Sequence, residues 1–308
     1  MNDLFIYSFY RFTKVKNRKQ VKFEIEKFIK NKIVRGTILI ADEGINGSIS
    51  ADSKTLNSIL SYIKKLLNIK KLEIKINKVN FLPFNRIKIR IKNEIVSLGK
   101  EINSFNNKND FFIEPSDWNN FIIQNDVKLI DLRNIYEIEI GKFKRAINPK
   151  TNTFREFPKN FKNMNLNKND KIAMYCTGGI RCEKASKYLF QEGYKKIFQL
   201  KGGILNYLDY AKNSNTKSLW TGDCFVFDDR VTVNTKLEKG KYDQCHGCRY
   251  PISENDIQSH KYIRGVACPK CYDHRSEKQK QNSLNRQNQI EAAERKGKSH
   301  PFKKIKNL

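Results

Sequence analysis

Residues 174–182 read Met-Tyr-Cys-Thr-Gly-Gly-Ile-Arg-Cys, and they indicate how the central part of the chain folds. The β-rich run that ends at Tyr175 predicts a buried strand, and residues 183–192 predict a helix that ends before Gly193. Alternating strands and helices on either side indicate a parallel sheet. The stretch therefore lies at the carboxyl end of a parallel strand, where open α/β sheets place their ligands.

The residue types in this loop favour a reactive cysteine. Two successive glycines allow backbone amides to turn toward an anion, and the following helix adds its positive end. Together with the fixed charge of Arg181, these effects lower the pKa of Cys176 and favour its nucleophilic thiolate. The alternative is a buried cysteine beside an ordinary glycine turn. The loop residues predicted to line the substrate site are Thr177, Gly178, Gly179 and Ile180.

Spacing within the loop separates two kinds of chemistry. Cysteine phosphatases cradle a phosphate with Cys, five residues and then Arg, whereas here the arginine comes one position earlier, at 181. The shorter loop suits a smaller anion or a sulfur atom, as in rhodaneses. Cys182 has two interpretations: it resolves a disulfide or persulfide on Cys176, or it packs at the first turn of the helix, which we favour.

The chain resembles a known family at several separate segments. The two halves of a rhodanese domain are matched by residues 130–134, 136–137, 141–143 and 146–149, and by residues 176–182 and 200–204. More narrowly, the chain resembles the rhodanese-domain tRNA uridine hydroxylases. The segments that carry this narrower resemblance are 43–47 (Glu-Gly-Ile-Asn-Gly), 153–156 (Thr-Phe-Arg-Glu), 174–186 and 224–231 (Cys-Phe-Val-Phe-Asp-Asp-Arg-Val).

The resemblance implies an oxygen-dependent hydroxylation at C5 of the wobble uridine, position 34, of tRNA. It implies tRNA as partner, molecular oxygen as co-substrate and Cys176 as the essential residue. The sequence contains no flavin or nicotinamide-dinucleotide glycine fingerprint. Two mechanisms stay open: the thiolate adds to C6 of uracil, or Cys176 carries a persulfide. The rival functions are a rhodanese-type sulfurtransferase and a non-catalytic RNA-binding scaffold.

Two further groups of side chains are candidates for contacts with substrate. Asp131 and Arg133 end a predicted strand beside the loop, and an ion pair between them is an equally good interpretation. Aromatic residues in the first strand can stack on bases. Alternation along a strand makes half of these aromatic residues part of the core, so we favour packing for Phe5, Tyr7, Phe9 and Tyr10.

Two cysteine pairs near the C-terminus predict a metal site. Their spacing, C-x₂-C-x₁₉-C-x₂-C, lets each pair present two thiolates to one tetrahedral zinc ion. A closed four-thiolate shell leaves no open position for catalysis, so the predicted role is structural. The alternatives are reduced cysteines without metal, or a histidine (His246, His260 or His274) in place of one thiolate. The predicted ligands are Cys245, Cys248, Cys268 and Cys271.

The predicted fold is α/β and multidomain. Residues 1–97 have the order β-α-β-β-α-β of a ferredoxin-like (acylphosphatase-like) α+β sandwich, with a tight reversal predicted at Asn46-Gly47. The later divisions are a connector over 98–125, a rhodanese-like parallel α/β domain over 126–222, a zinc-knuckle module over 223–274 and a basic helical or disordered tail over 275–308.

The charge and hydropathy of the chain indicate its partners and its compartment. The 308 residues include 60 Lys+Arg against 32 Asp+Glu, a net charge of +28 that attracts polyanions such as nucleic acid. Lys, Asn and Ile share AT-rich codons, so codon bias is an alternative source of this excess. No apolar run approaches the ~18 residues that span a bilayer. We expect no membrane association and a cytoplasmic protein whose cysteines stay reduced, and we assume a monomer.

Overall fold

The computed structural model describes residues 3–103, 111–298 and 301–302 of the chain. The chain divides into two compact units. The first comprises Met1–Cys224 and Thr235–Leu237, and the second comprises Phe225–Asn234 and Glu238–Leu308. No helix within the described ranges combines the length and the apolar character needed to cross a membrane.

The N-terminal part of the first unit is a five-stranded sheet with two helices on one face. The sheet order is β4-β1-β3-β2-β5; β2 and β5 are parallel, and the other neighbours are antiparallel. The first six elements follow the predicted β-α-β-β-α-β order, which is confirmed. The elements are β1 (Leu4–Phe12), α1 (Arg18–Ile29), β2 (Arg35–Ala41), β3 (Gly44–Asp52), α2 (Ser53–Leu66), β4 (Glu73–Val79) and β5 (Ile87–Ile91).

Helix α2 shows how the sequence builds this layer. Its first turn is capped by Asp52, whose carboxylate accepts a hydrogen bond from the Thr55 amide at 2.8 Å. Its apolar residues recur at helical spacing, so one face of the helix is buried against the sheet. These buried residues are Leu56, Ile59, Leu60 and Ile63.

The predicted reversal at Asn46-Gly47 is wrong. Both residues lie inside β3, and the chain turns instead at Asp42 and Glu43. Gly47 serves packing rather than turning, because a Cβ atom there would lie 2.6 Å from the Phe9 ring. The Asn46 amide donates a hydrogen bond to the Ile95 carbonyl at 3.0 Å.

The second part of the first unit is a four-stranded parallel sheet flanked by helices, with the order β6-β10-β9-β7. Its elements are β6 (Phe111–Ile113), α3 (Pro115–Ile122), β7 (Val127–Asp131), α4 (Ile135–Ile138), β8 (Gly141–Phe143), a 3₁₀ turn (Phe154–Glu156), α5 (Phe157–Lys162), β9 (Lys171–Tyr175), α6 (Ile180–Gln191), β10 (Lys196–Leu200), α7 (Gly203–Asn213) and β11 (Trp220–Gly222). The predicted parallel α/β architecture is confirmed.

The region predicted as a connector, residues 98–125, contains a strand and a helix in its second half. Residues 111–113 form β6, which pairs in parallel with β10, and α3 follows directly. The physical reason is an apolar pair: the ring of Phe111 packs against that of Phe198 with centroids 5.4 Å apart. Residues 104–110 of this region lie outside the described residues.

The C-terminal elements are short apart from one helix. They are β12 (Cys224–Phe225), β13 (Thr232–Val233), β14 (Asp243–Gln244), β15 (Pro251–Ile252), α8 (Glu254–Gln258) and α9 (Glu277–Arg295). Helix α9 begins with a capping box between Ser276 and Gln279. Arg275 donates a hydrogen bond to Ser283 in this helix at 2.7 Å. The loose end predicted for the tail falls mostly on residues 299–300 and 303–308, outside the described residues.

Candidate active site

Cys176 lies in the loop between β9 and α6, where the sequence places it. Its side chain is buried, with 1% of the residue exposed. Gly179 has φ +96°, a left-handed conformation that favours glycine, and this conformation lets its amide donate a hydrogen bond to the Cys176 sulfur at 3.1 Å. The chain from Cys176 to Gly179 therefore folds back over the sulfur atom.

The surroundings of the sulfur stabilise its thiolate. Burial raises the pKa of Cys176, but hydrogen bonding to Cys182, the charge of Arg181 and the amides of Cys182 and Gly179 outweigh this effect. Together they lower the pKa of Cys176 to about 6, so the group is mainly a thiolate at neutral pH.

Cys182 is the protonated partner of this thiolate. Cys182 is fully buried. Burial and the neighbouring Cys176 raise the pKa of the Cys182 thiol well above its ordinary value. The Cys182 thiol thus acts as a hydrogen-bond donor to the Cys176 sulfur, a role that the sequence interpretation missed. Its proposed role as a resolving cysteine stays a prediction.

Arg181 acts on Cys176 through its charge while its guanidinium is held by a carboxylate. It forms two hydrogen bonds with Glu137, at 2.7 and 2.8 Å, and Glu137 is fully buried. Burial raises the pKa of Glu137, but Arg181 and neighbouring groups outweigh this and keep it below its ordinary range. The Thr177 hydroxyl lies 3.4 Å from both partners. Sequence resemblance placed Glu137 in a rhodanese-like segment but did not place its carboxylate beside Arg181.

Asp131 and Arg133 are paired with each other. Both side chains are fully buried, and the guanidinium donates to the Asp131 carboxylate at 2.9 and 2.6 Å. Arg133 also donates to the carbonyls of Glu137 and Gly141, at 3.0 and 2.6 Å. The ion-pair interpretation therefore describes these residues, and this conformation leaves no exposed side-chain surface for the predicted contact with substrate.

The start of α7 supports the loop from behind. The amide of Ile204 donates to the Cys176 carbonyl at 3.0 Å, and the amide of Leu205 donates to the Thr177 carbonyl at 3.2 Å. Gly203, with φ +69°, makes this contact possible, because a Cβ atom there would lie 2.5 Å from the Cys176 carbonyl oxygen. The sequence showed a glycine break here but not its contact with the loop.

The N-terminal sheet supplies one wall of the site. The hydroxyl of Tyr10, on β1, lies 3.3 Å from the position that a Cβ atom on Gly179 would take. Burial and the negative charges of Glu183 and Cys176 raise the pKa of Tyr10 well above its ordinary value. The sequence interpretation assigned Tyr10 to packing, and alternation along a strand could not reveal its position beside a loop about 170 residues away.

A buried lysine connects helix α6, which follows the reactive loop, to the N-terminal domain. The ammonium group of Lys184, on α6, lies 2.7 Å from the carboxylate of Glu43 and 2.6 Å from that of Glu94. It also donates to the Val96 carbonyl at 3.0 Å. Burial raises the pKa of Glu94, but hydrogen bonds from Lys184 and from backbone amides outweigh it and lower the pKa. Segment 43–47 thus contacts the helix that follows the reactive loop.

The four C-terminal cysteines form a separate cluster in the second unit. Their ligand atoms all lie within 4.8 Å of one another, and three sulfur–sulfur distances are 3.7, 3.9 and 3.9 Å. A tetrahedral metal with bonds of ~2.3 Å to sulfur requires about 3.8 Å, so the cluster fits a metal ion. The cluster found among the described residues contains cysteines only, which disfavours a histidine ligand: Cys245, Cys248, Cys268 and Cys271.

A parallel α/β sheet that holds a buried cysteine at the carboxyl end of an inner strand is the arrangement expected of a rhodanese-like domain. Residues 114–209 match the family model described as a rhodanese-like domain, and residues 4–95 match the one described as a UPF0176 acylphosphatase like domain. Both predicted domain folds are confirmed.

Two curated relatives extend the similarity over nearly the whole chain. The tRNA uridine(34) hydroxylase of Teredinibacter turnerae is 42% identical over 97% of this chain and 93% of its own length. That of Pelagibacter ubique is 44% identical over 97% of this chain and 98% of its own length. The chain belongs to the tRNA uridine(34) hydroxylase family.

The contact behind the loop predicts a difference between two glycine substitutions. Gly193→Ala, at φ +88° with no atom within 4 Å of the new methyl group, should cost only the left-handed conformation, about 1–2 kcal/mol. Gly203→Ala adds a clash with the loop backbone and should cost roughly 1–3 kcal/mol more. Urea unfolding of the two variants measures this difference, and equal losses would contradict the contact.

Proposed function

We propose that this chain hydroxylates C5 of uridine 34, the wobble position of tRNA, and that the thiolate of Cys176 is the reactive group. The observation that carries this proposal is the buried Cys176 sulfur, which accepts a hydrogen bond from the Gly179 amide at 3.1 Å, inside a chain that matches hydroxylase relatives over 97% of its length. In this proposal residues 126–222 carry the chemistry, and residues 1–97 help to hold the RNA.

Four residues of the loop then have a chemical role. The Cys176 thiolate is the nucleophile, and the Cys182 thiol donates to it. Arg181, which Glu137 holds in a fixed position, supplies positive charge. The backbone amide of Gly179 points at the same sulfur. These groups stabilise negative charge on sulfur before substrate binds, and this preorganisation is what a nucleophilic cysteine requires.

We propose a monooxygenase-type oxidoreductase that uses molecular oxygen as co-substrate. One oxygen atom replaces the hydrogen at C5, and an external two-electron donor with two protons reduces the other atom to water. Addition of the thiolate to C6 of uracil makes C5 electron-rich enough to react with oxygen. A Cys176 persulfide that serves as the reactive sulfur species is the alternative mechanism.

A sulfurtransferase is the second candidate function, favoured by the same loop. A thiolate with a pKa of about 6 is a suitable nucleophile for a sulfur donor as well as for uracil, and it lies in a rhodanese-like domain. Similarity along both domains favours the tRNA reaction. An RNA-binding scaffold needs no stabilised thiolate, so we do not favour that function.

Cys176→Ser should abolish hydroxylation in cells. In a strain that lacks its own wobble-uridine hydroxylases, the wild-type chain should restore 5-hydroxyuridine derivatives in tRNA, and Cys176→Ser should restore none. The reason is that a serine hydroxyl stays protonated where a thiol ionises. Mass spectrometry of tRNA nucleosides measures the outcome.

Cys182→Ser is the matched control for the cysteine loop. If it retains full hydroxylation, a resolving role for Cys182 is excluded while the role of Cys176 stands. Full hydroxylation by Cys176→Ser would contradict the role of the Cys176 thiolate while leaving the hydroxylation itself in place. Unchanged nucleosides together with thiosulfate–cyanide sulfurtransferase activity in the purified wild-type chain would assign the chain to the second candidate.

We also propose that the four-cysteine cluster holds a structural zinc ion. Four thiolates are the donor set that zinc takes in closed structural sites, and such a site leaves no open position for a reacting molecule. Gly247 suits the tight turn of the first pair, because a Cβ atom there would lie 2.4 Å from the Val266 carbonyl oxygen.

Metal analysis tests the zinc site directly. The purified chain should contain about one zinc ion, and Cys248→Ser with Cys271→Ser should lose it, since two of the four ligands are removed. Cys224→Ser, at a buried cysteine outside the cluster, is the control and should retain the metal. A folded wild-type chain without metal would contradict the proposal.

A further inference from the structure

We propose that the RNA strand next to the reacting uridine lies across the open face of the N-terminal sheet, with its phosphates bound by Arg35, Lys88 and Arg90. This inference rests on the proposed function and adds to it a surface, a direction and three contact residues. It follows from the strand register, the position of Tyr10 and the distribution of charge on that face.

The two faces of the sheet differ in chemistry. One face is apolar and lies under helices α1 and α2, with Phe9, Ile38, Ile40 and Ile49 in its core. Strand alternation turns the neighbouring residues of each strand to the opposite face. That open face carries hydroxyl and amide groups, and Ser8 and Ser48 share a hydrogen bond of 2.7 Å on it.

The strand register connects this face to the reactive loop. Tyr10 on β1 is opposite Asn46 on β3, Asn46 is opposite Leu39 on β2, and Leu39 is opposite Arg90 on β5. Three strand spacings separate the two ends of this row, about 14 Å at ~4.8 Å each. A stacked nucleic-acid strand covers that distance in about four nucleotides at ~3.4 Å each.

The row begins at the reactive sulfur. The Tyr10 hydroxyl lies against Gly179, and the amide of Gly179 donates to the Cys176 sulfur at 3.1 Å. A uridine at Cys176 therefore places its neighbouring nucleotides at the Tyr10 end of the face. The far end of the row, at Arg90, lies where phosphates a few nucleotides away would be.

Positive charge collects at that far end. Arg35 on β2 and Lys88 and Arg90 on β5 occupy three successive rows of the same face. In the part of the chain that the structure describes, neither Arg35 nor Arg90 forms an ion pair with a carboxylate. The acidic residue of the Tyr10 row, Glu73, lies on β4 at the opposite end and pairs with Lys71 at 2.9 Å.

The chemistry of the face, polar at its centre and positively charged at its far end, fits RNA better than a protein partner. Arg90 is exposed, and the central polar residues Ser8, Thr37 and Ser48 are half-buried. The segment after β5 covers the face near Phe12, Ala41 and Asn46, because Ile95 packs on the first two and its carbonyl accepts a hydrogen bond from the Asn46 amide. Ile6 and Ser50 on the same face are fully buried, so the polar centre and the Arg90 end are the parts left for RNA.

The hydroxyl row of Ser8, Ser48 and Thr37 ends at Lys88, and the Tyr10 row, whose apolar member is half-buried Leu39, ends at Arg90. Polar rows that end in positive charge match the sugars and phosphates of an RNA strand.

The test compares two triple variants of the full-length protein. Arg35→Gln, Lys88→Gln and Arg90→Gln together remove three positive charges from the open face. Lys27→Gln, Lys30→Gln and Lys65→Gln remove three exposed positive charges from the helix side of the same domain. The probe is a fluorescently labelled anticodon stem-loop RNA with uridine at position 34, titrated by anisotropy over a series of salt concentrations.

The open-face triple should bind the probe at least about tenfold more weakly at low salt. Its plot of log K against log salt should be shallower by about 2, because each phosphate contact on a single strand contributes roughly 0.7 to the slope. The helix-side triple should bind within about twofold of the wild type, and its slope should be unchanged. Equal thermal melting of both triples shows that neither loss comes from unfolding.

Two results would overturn the surface assignment. Equal weakening by both triples shows that diffuse charge, rather than this face, attracts the RNA. Wild-type binding by the open-face triple shows that the face serves something else, such as a protein partner. The tRNA nucleoside assay is read separately: wild-type hydroxylation with an unaffected open-face triple rejects the surface alone, and absence of wild-type hydroxylation rejects the proposed function.

Discussion

The structure depends on one constraint, which is to keep a negative charge on a sulfur atom that is almost completely buried. Burying an isolated charge costs several kcal/mol, so the Cys176 thiolate needs partners that water would otherwise provide. Backbone amides and the Cys182 thiol donate to it, and Arg181 supplies charge. Arg181 is itself buried and requires Glu137 as its counter-ion. Because Glu137 lies on α4 and Arg181 on α6, this ion pair fixes the two helices relative to each other.

The N-terminal domain is tied to this loop by polar contacts as well as by packing. Lys184 holds the carboxylates of Glu43 and Glu94 against α6, and Tyr10 lies over Gly179. If the sheet moved away from the loop, the buried charges of Lys184 and its carboxylate partners would be left unpaired, which is strongly destabilising. These contacts therefore fix the orientation of the sheet relative to the loop. The same orientation makes the open face of that sheet the natural continuation of the site for a strand of RNA.

Local patterns in the sequence were sufficient for much of this account. Strand–loop–helix order around Cys176, the β-α-β-β-α-β order and the paired cysteines all depend on residues close together in the chain, so they could be predicted. Lys184 and Glu43 are 141 residues apart, and hydropathy predicts both at the surface. Asn46-Gly47 has the composition of a turn, yet contact with Phe9 from another strand explains the glycine. Tertiary contacts decide such positions, and one sequence does not contain them.

The ionisation of Cys176 is the most direct test of this account. The ultraviolet absorbance of its thiolate can be followed against pH in the full-length protein, with Cys176→Ser subtracted to remove other thiolates and tyrosines. We expect a midpoint near pH 6, and a higher midpoint in Cys182→Ala, which lacks the donor. A wild-type midpoint near the ordinary thiol value of about 8.5, or no change in Cys182→Ala, would contradict it.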